Sequence, residues 1–166
     1  APRGGLSDGP GEQAAVADYV VCMCYDEHTS GSKEAGSVAS LPFVKKGIED
    51  TLSEVPAAQT VIAIPFFTRL WTTGSSKTPE SKAYGMSEAE AFVTDHNMAK
   101  YWDKDTGQNY AELQDSDAYY QIWLEDAESI AEKMKLIKDA GCAGAAEWKM
   151  GLETSDIWGV ISQYLK

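Results

Sequence analysis

A chain of 166 residues is long enough for one domain with a buried core, and 14 basic against 26 acidic residues leave it a formal net charge of −12. That balance argues against a nucleic-acid surface, which needs clustered Lys and Arg, and no apolar run approaches the roughly 20 residues of a membrane helix. Acidity with five Trp and eight Tyr suits a neutral polar ligand such as a carbohydrate, although a solvated acidic surface gives the same composition.

Residues 1–13 open the chain within "APRGGLSDGPGEQAA". They lack the apolar centre of a signal peptide and read as a flexible lead-in or an expression remnant. Ala17 to Cys24 then reads as a strand, apolar almost throughout, which predicts a parallel strand buried on both faces. It runs directly into Tyr25, Asp26, Glu27 and His28 and a small-residue loop. A purely structural strand has no need of four hydrogen-bonding side chains at its end. Glu27 and His28 fit either a general base or, with more weight, loop hydrogen bonding. Cys22 and Cys24 alternate in this strand, share a face, and are expected to be poorly placed to bond each other. With Cys142 they form an odd set without metal-ligand spacing, read as three buried free thiols.

Leu41 to Val55 is predicted as a helix with Phe43, Val44, Ile48, Leu52 and Val55 on its apolar face, Ser40 as its cap and Pro56 as its stop. Thr60 to Ile64 is a second buried strand closed by Pro65. A long insertion follows, at about residues 72–125. Within it Ser87 is expected to cap a short helix, with Glu90 completing a capping box. "KYWDKDTGQNYAELQDSDAYYQIWLED" alternates aromatic and polar residues around two turn signals, which predicts antiparallel strands. The stretch Asp103 to Asn109 faintly echoes a calcium loop, but it lacks the bidentate Glu and its Gly is misplaced, so a hairpin turn is expected and no metal. Trp71, Tyr110, Tyr120 and Trp123 fit equally a glycan cleft or the packing of the insertion. Asp126 to Ala140 is a helix with Ile130, Met134 and Ile137 inward, ended by Gly141. Ala143 to Trp148 is a third strand, and Asp156 to Leu165 a final helix.

Alternating strands and helices imply an α/β fold with a parallel sheet covered by helices. In such sheets ligands gather at the C-terminal strand ends. The three predicted ends carry Tyr25 and Asp26; Phe67, Arg69 and Trp71; and Glu147 and Trp148.

These residues resemble a known family. "MCYD", Met23 to Asp26, is similar to the M-x-Y-D motif on the sixth barrel strand of glycoside hydrolase family 18, the chitinase family. "AIPFFTRLW", Ala63 to Trp71, resembles its seventh-strand segment G-x-P-x-Y-x-R, with Ala63 in place of Gly and Phe67 in place of Tyr. "AGAAEWKMG", Ala143 to Gly151, resembles the eighth-strand segment that carries a floor tryptophan. The wider stretches "AGSVASLPFVKKGIE", "SKAYGM" and "YYQIWLEDAESIAEKM" look like the bacterial branch of spore-cortex and cell-wall glucosaminidases. The resemblance spans residues 14–165. The family's D-x-x-D-x-D-x-E motif, which carries the acid glutamate on the fourth strand, does not occur in this chain.

The resemblance implies the C-terminal portion, about strands six to eight, of a (β/α)8 TIM barrel, with a small α+β insertion after strand seven. It implies substrate-assisted retaining hydrolysis of β-1,4-linked, N-acetylglucosamine-containing glycans in peptidoglycan or chitin. Tyr25 would donate to the 2-acetamido oxygen and Asp26 would bind sugar hydroxyls. Trp148 would floor the sugar ring, Met23 would pack near the site, and Arg69 would brace the seventh-strand loop or reach a sugar hydroxyl. Beside these, Trp71 and Glu147 are candidate ligand contacts, Glu147 alternatively pairing with Arg69. No cofactor is expected. The parent would act outside the cell or at the wall or spore. The chain itself, without the acid motif, is expected to be inactive. Its open strand edges are expected to find a second copy or a missing N-terminal barrel half. A non-catalytic carbohydrate-binding relative and a purely structural fragment are the alternatives.

Overall fold

The computed structural model describes residues 9–165. In chain order its elements are α1 (Pro10–Ala14), β1 (Val20–Met23), α2 (Leu41–Leu52), β2 (Thr60–Pro65), β3 (Phe67–Thr73), β4 (Pro79–Gly85), α3 (Met86–Asp95), β5 (Lys100–Asp103), β6 (Gln108–Gln114), β7 (Tyr119–Trp123), α4 (Ala127–Asp139), β8 (Gly144–Trp148) and α5 (Ile157–Ser162). They build two sheets. One is parallel, three-stranded and ordered β1-β2-β8; the other is five-stranded and ordered β4-β3-β7-β6-β5, antiparallel in every pairing.

The parallel sheet is covered on one face only. Ile62 and Ile64 of β2 point into a core built with Val44 and Ile48 of α2, Ile130, Met134 and Ile137 of α4, and Ile157 and Ile161 of α5. The predicted inward stripe of α4 is therefore the one observed. The opposite face holds Val21, Val61 and Gly144 at one level and Met23, Ala63 and Ala146 at the next. On it Val21 is 53% exposed, Met23 68% and Trp148 55%. The expectation that the first strand is buried on both faces thus fails on this side, because no element among the described residues packs there. β1 is also shorter than predicted, and neighbouring Tyr19 is exposed.

The antiparallel sheet carries a second core, Leu70, Ala111, Ile122 and Leu124 against Ala89, Val93 and Met98 in and after α3. Sequence patterning anticipates β5, β6 and β7 but not β3 and β4. The reason is local: Phe66 alone separates β2 from β3, its amide donating to the Trp148 carbonyl at 2.7 Å. One residue moves the chain from one sheet to the other, so a single apolar run feeds two strands.

The helix ends follow their capping chemistry unevenly. Ser40 caps α2, its Oγ accepting from Phe43 N at 3.3 Å, as expected. α2 stops at Leu52, three residues short of the prediction, and Val55 is buried beyond it. The expected Ser87–Glu90 box does not form: α3 starts two residues earlier, at Met86, with Gly85 as N-cap and no side-chain cap. A true capping box lies on α4 instead, where Asp126 accepts from Glu128 N and Ser129 N and Ser129 Oγ answers Asp126 N. α5 ends at Ser162, short of Leu165. Residues 1–8 of the predicted lead-in lie outside the described residues. Pro10–Ala14 is helical, and the turn after it is tied to the body by Gln59 Nε2, which donates to Ala14 O at 3.2 Å and Ala17 O at 3.1 Å.

The hairpin between β5 and β6 turns on Asp103, whose carboxylate accepts from Asp105 N and Thr106 Oγ1. Gly107 closes the turn at φ +66°, where a Cβ would sit 2.8 Å from Leu41 Cβ. Gly107→Ala is expected to lose about 1–2 kcal/mol for the left-handed backbone, and more for the clash with α2. A urea midpoint unchanged from the parent chain would show that the hairpin relaxes away from α2.

Candidate active site

The site is assembled at the C-terminal end of the parallel sheet. Beyond β1, Cys24 N donates to Ala63 O at 2.8 Å and keeps the chain in the ladder long enough to deliver Tyr25 beside the start of β3. The Tyr25 and Phe67 rings meet edge to face, centroids 6.3 Å apart. Burial, and next the charge of Asp26, push the Tyr25 phenol above its ordinary value. Asp26 has φ +64°, a region few non-glycine residues occupy and one that Asp tolerates. The turn at Asp26 swings the chain off the sheet.

Phe67 links this end to β8. With Tyr84, Glu88, Leu152 and Trp148 it lines an open cleft of about 250 Å³, and Trp148 presents its indole there, 55% exposed. Phe67 thus touches Tyr25 on one side and shares the cleft with Trp148 on the other. Arg69 stands two residues beyond Phe67 on β3. Its Nη1 donates to Ser81 Oγ of β4 at 3.2 Å, while its Nε is buried without a hydrogen-bond partner. Met23 lies on the open face of the parallel sheet, one alternation before Tyr25.

Two predicted contacts are placed elsewhere. Glu147 alternates to the helix-facing side of β8, level with core residue Ile64. Burial raises its carboxyl above the usual range, and no ion pair joins it to Arg69 among the described residues. Trp71 is fully buried, its Nε1 donating to Gly36 O at 2.8 Å. It packs against the loop after β1, edge-on to His28, and has no surface to offer a sugar. Tyr110 is also buried, donating to Glu112 at 2.6 Å, and Tyr120 turns to the other face against Phe92 of α3. Of the insertion aromatics, Trp123 is half-buried, with Nε1 on Asp103 Oδ2 at 3.2 Å.

Glu27 and His28 hold the loop that follows. The Glu27 carboxylate accepts from Ser40 N at 2.7 Å and Ser40 Oγ at 3.0 Å, so it braces the start of α2. His28 Nδ1 bonds Ser37 O at 2.9 Å, its ring lying over Gly36 and edge-on to Trp71. The same loop reaches a buried polar chain that sequence reasoning did not find. Ser37 Oγ donates to Gln108 Oε1; Gln108 Nε2 donates to Leu124 O at 3.1 Å and Glu125 Oε1 at 2.9 Å; Lys133 Nζ holds both Glu125 oxygens at 2.7 and 2.8 Å; Ser129 Oγ donates to Glu125 Oε2 at 2.8 Å. Glu125, Ser129 and Lys133 recur every four residues beside the apolar stripe of α4, which is the signal that marks them. Through this chain the loop behind Tyr25 and Asp26 is pinned to the insertion and to α4. Among the described residues, no group of three or more His, Cys, Asp or Glu is placed to hold a metal ion, and no helix is long and apolar enough to cross a membrane.

The chain has relatives. The profile of glycosyl hydrolases family 18 matches residues 7–153. The cortical fragment-lytic enzyme of Bacillus subtilis (strain 168) is 28% identical over 150 residues, covering 89% of this chain and 34% of the relative. The fold superposes on the Bacillus cereus spore cortex-lytic enzyme SleL with TM-score 0.85 at 23% identity, covering 95% of this chain and 37% of that one. It superposes on a chitinase from Chromobacterium violaceum ATCC 12472 with TM-score 0.84 at 22% identity, covering 94% of this chain and 48% of that one. The chain therefore spans between a third and a half of the length of these relatives. A family match over most of the chain, on an α/β fold that superposes on these structures, means that the chain belongs to glycosyl hydrolases family 18.

Proposed function

We propose that this chain is the C-terminal part, strands six to eight with an insertion after strand seven, of a (β/α)8 barrel that cleaves β-1,4 bonds next to N-acetylglucosamine in peptidoglycan or chitin, at the cell wall or spore. The observation that carries this reading is the juxtaposition of Tyr25, Phe67 and Trp148 at the strand ends. The exposed side of the parallel sheet supports it too. Val21, Met23 and Trp148 stand exposed on this face, as they would on the inside of a barrel whose other strands complete it.

In this reading the sugar's 2-acetamido oxygen is the nucleophile, so the protein has no nucleophilic carboxylate to supply. The Tyr25 hydroxyl donates to the acetamido oxygen as it attacks the anomeric carbon. Its raised pKa keeps the proton in place for that bond. Asp26 accepts from sugar hydroxyls, and Trp148 stacks beneath the ring. Arg69 stiffens the β3–β4 wall through Ser81, and Met23 packs below the sugar. Trp71 and Glu147 make no ligand contact. Protonation of the leaving oxygen falls to an acid that this chain does not contain.

A non-catalytic, glycan-binding relative is the second reading: the exposed Trp148 at the strand ends could hold a sugar without any acid. One experiment separates them. The chain alone and the full product of its parent gene are assayed on chitooligosaccharides and on cortex peptidoglycan. We expect no turnover by the chain alone, since general acid–base help is worth roughly 10²–10⁴-fold, and turnover by the longer protein. Hydrolysis by the chain alone that is lost on substituting one of its own carboxylates would overturn the assignment. Glycan binding by a full-length protein that never hydrolyses would establish the second reading.

A further inference from the structure

Cys22 and Cys24 are not the inert pair that strand alternation predicts. Their Sγ atoms lie 3.5 Å apart on the helix-facing side of β1. Space for them is made by Gly47 of α2, where a Cβ would sit 2.6 Å from Cys24 Sγ. A glycine in mid-helix is unfavourable relative to Ala, and here it lets two thiols fit beneath the helix. Cys24 is buried at 2% exposure, while Cys22 is only half-buried. A small opening beside it is lined by Met23 and by Phe43, Lys46 and Asp50 of α2.

We propose that Cys22 and Cys24 form a redox-active dithiol, oxidised by a low-molecular-weight disulfide to a disulfide within one strand. The Cys22 thiolate attacks one sulfur of the reagent, forming a mixed disulfide and expelling one thiolate. The Cys24 sulfur, losing its proton to solvent, then attacks Cys22 Sγ and expels the second thiol. Two protein thiols are oxidised and one small disulfide is reduced to two thiols.

The two sulfurs are electrostatically suited to these steps. The Cys24 hydrogen bond, with further help from Thr51, brings Cys22 down to about 6 from 9.0, against the opposing effects of burial and Asp50. An accessible thiolate beside a second thiol is the usual setting of a redox-sensitive cysteine. Cys24 is pushed up, first because it donates to Cys22, then by burial and by the charges of Cys22 and Cys142. Once Cys22 is a mixed disulfide it carries no charge, so the principal cause holding the proton on Cys24 disappears when Cys24 must react.

Closure has a structural consequence. Strand positions two apart lie about 6.6–6.8 Å apart at Cα, at the upper limit for a disulfide. The sulfurs must also close from 3.5 Å to bonding distance. β1 must therefore bend just before Tyr25, and such a disulfide is readily reduced.

The test uses the chain itself with oxidised glutathione at neutral pH. Free thiols should fall from three to one, with no retained glutathione, and peptide mapping should find the Cys22–Cys24 bond. Alkylation of the reduced chain by iodoacetamide should be half-maximal near pH 6, at Cys22. Cys142→Ser should oxidise as before, and Cys24→Ser should trap glutathione on Cys22. A lasting mixed disulfide in the parent chain, a bond involving Cys142, or three unreacted thiols would each overturn the proposal. The mapping on the parent chain stands even where a variant fails to fold.

Discussion

Lys133→Met is expected to destabilise the fold by about 3–5 kcal/mol, the typical cost of leaving one partner of a buried ion pair uncompensated. Lys133 and Glu125 are both essentially without solvent contact, joined through both carboxylate oxygens. Burial favours the neutral Glu125 carboxyl and the Lys133 charge opposes that. Removing the ammonium leaves a carboxyl with only Ser129 and Gln108 as donors in an apolar setting. The loss should spread along the chain of bonds, because Gln108 also carries Ser37 and with it the loop behind Asp26. The double variant Lys133→Met/Glu125→Gln should regain much of the loss, since a neutral pair of similar volume has no ion to desolvate. Urea unfolding of the three variants decides it. A single-variant loss below about 1 kcal/mol, the range of exposed pairs, would mean that water reaches the pair.

Tyr25→Phe, in the complete parent protein, is expected to lower kcat by about 30- to 1000-fold, the effect of about 2–4 kcal/mol from one donor aimed at developing charge. KM should change much less. In the proposed substrate-assisted reaction the hydroxyl bond would strengthen as the oxazolinium forms, and so would act on the transition state more than on the bound substrate. The substitution keeps the ring contact with Phe67, which limits the structural damage. Because the phenol's pKa is raised above its ordinary 10.0, the proton-bearing form persists below that value, and Tyr25 should contribute no inflection to the rate at neutral pH. Unchanged kcat would remove the proposed role for Tyr25. Equal losses in stability and activity would reduce it to packing.

Periodicity carried the parallel half of the fold. β2, β8 and the inward stripe of α4 follow from runs of apolar residues and 3.6-residue spacing, because their partners are helices within the same chain. The position of Tyr25, Asp26 and Trp148 at one end of the sheet was equally legible, since they directly follow or end strands whose registers bring them there. Trp71 and Glu147 were not, because a residue name close to a motif does not say which way its side chain turns. Trp71 lies past the one-residue break at Phe66, on a strand of the other sheet, and Glu147 falls one step of alternation from Trp148.

The sequence by itself determined the class of the fold, the parallel order of its βα units and the identity of the strand-end residues. These depend on local pattern and on side-chain chemistry. Only the tertiary structure decided that Lys133, Glu125 and Gln108 are interior, that Cys22 and Cys24 touch, and that one face of the parallel sheet stands open. A charged side chain reads as surface until its partner arrives from elsewhere in the chain. Gln108 comes from β6, 17 residues before Glu125. Two sulfurs on a strand meet or miss according to what presses on them, and here that is a glycine of α2. An apolar strand is buried on both faces only where something lies on each, and burial is a property of neighbours that no strand encodes alone.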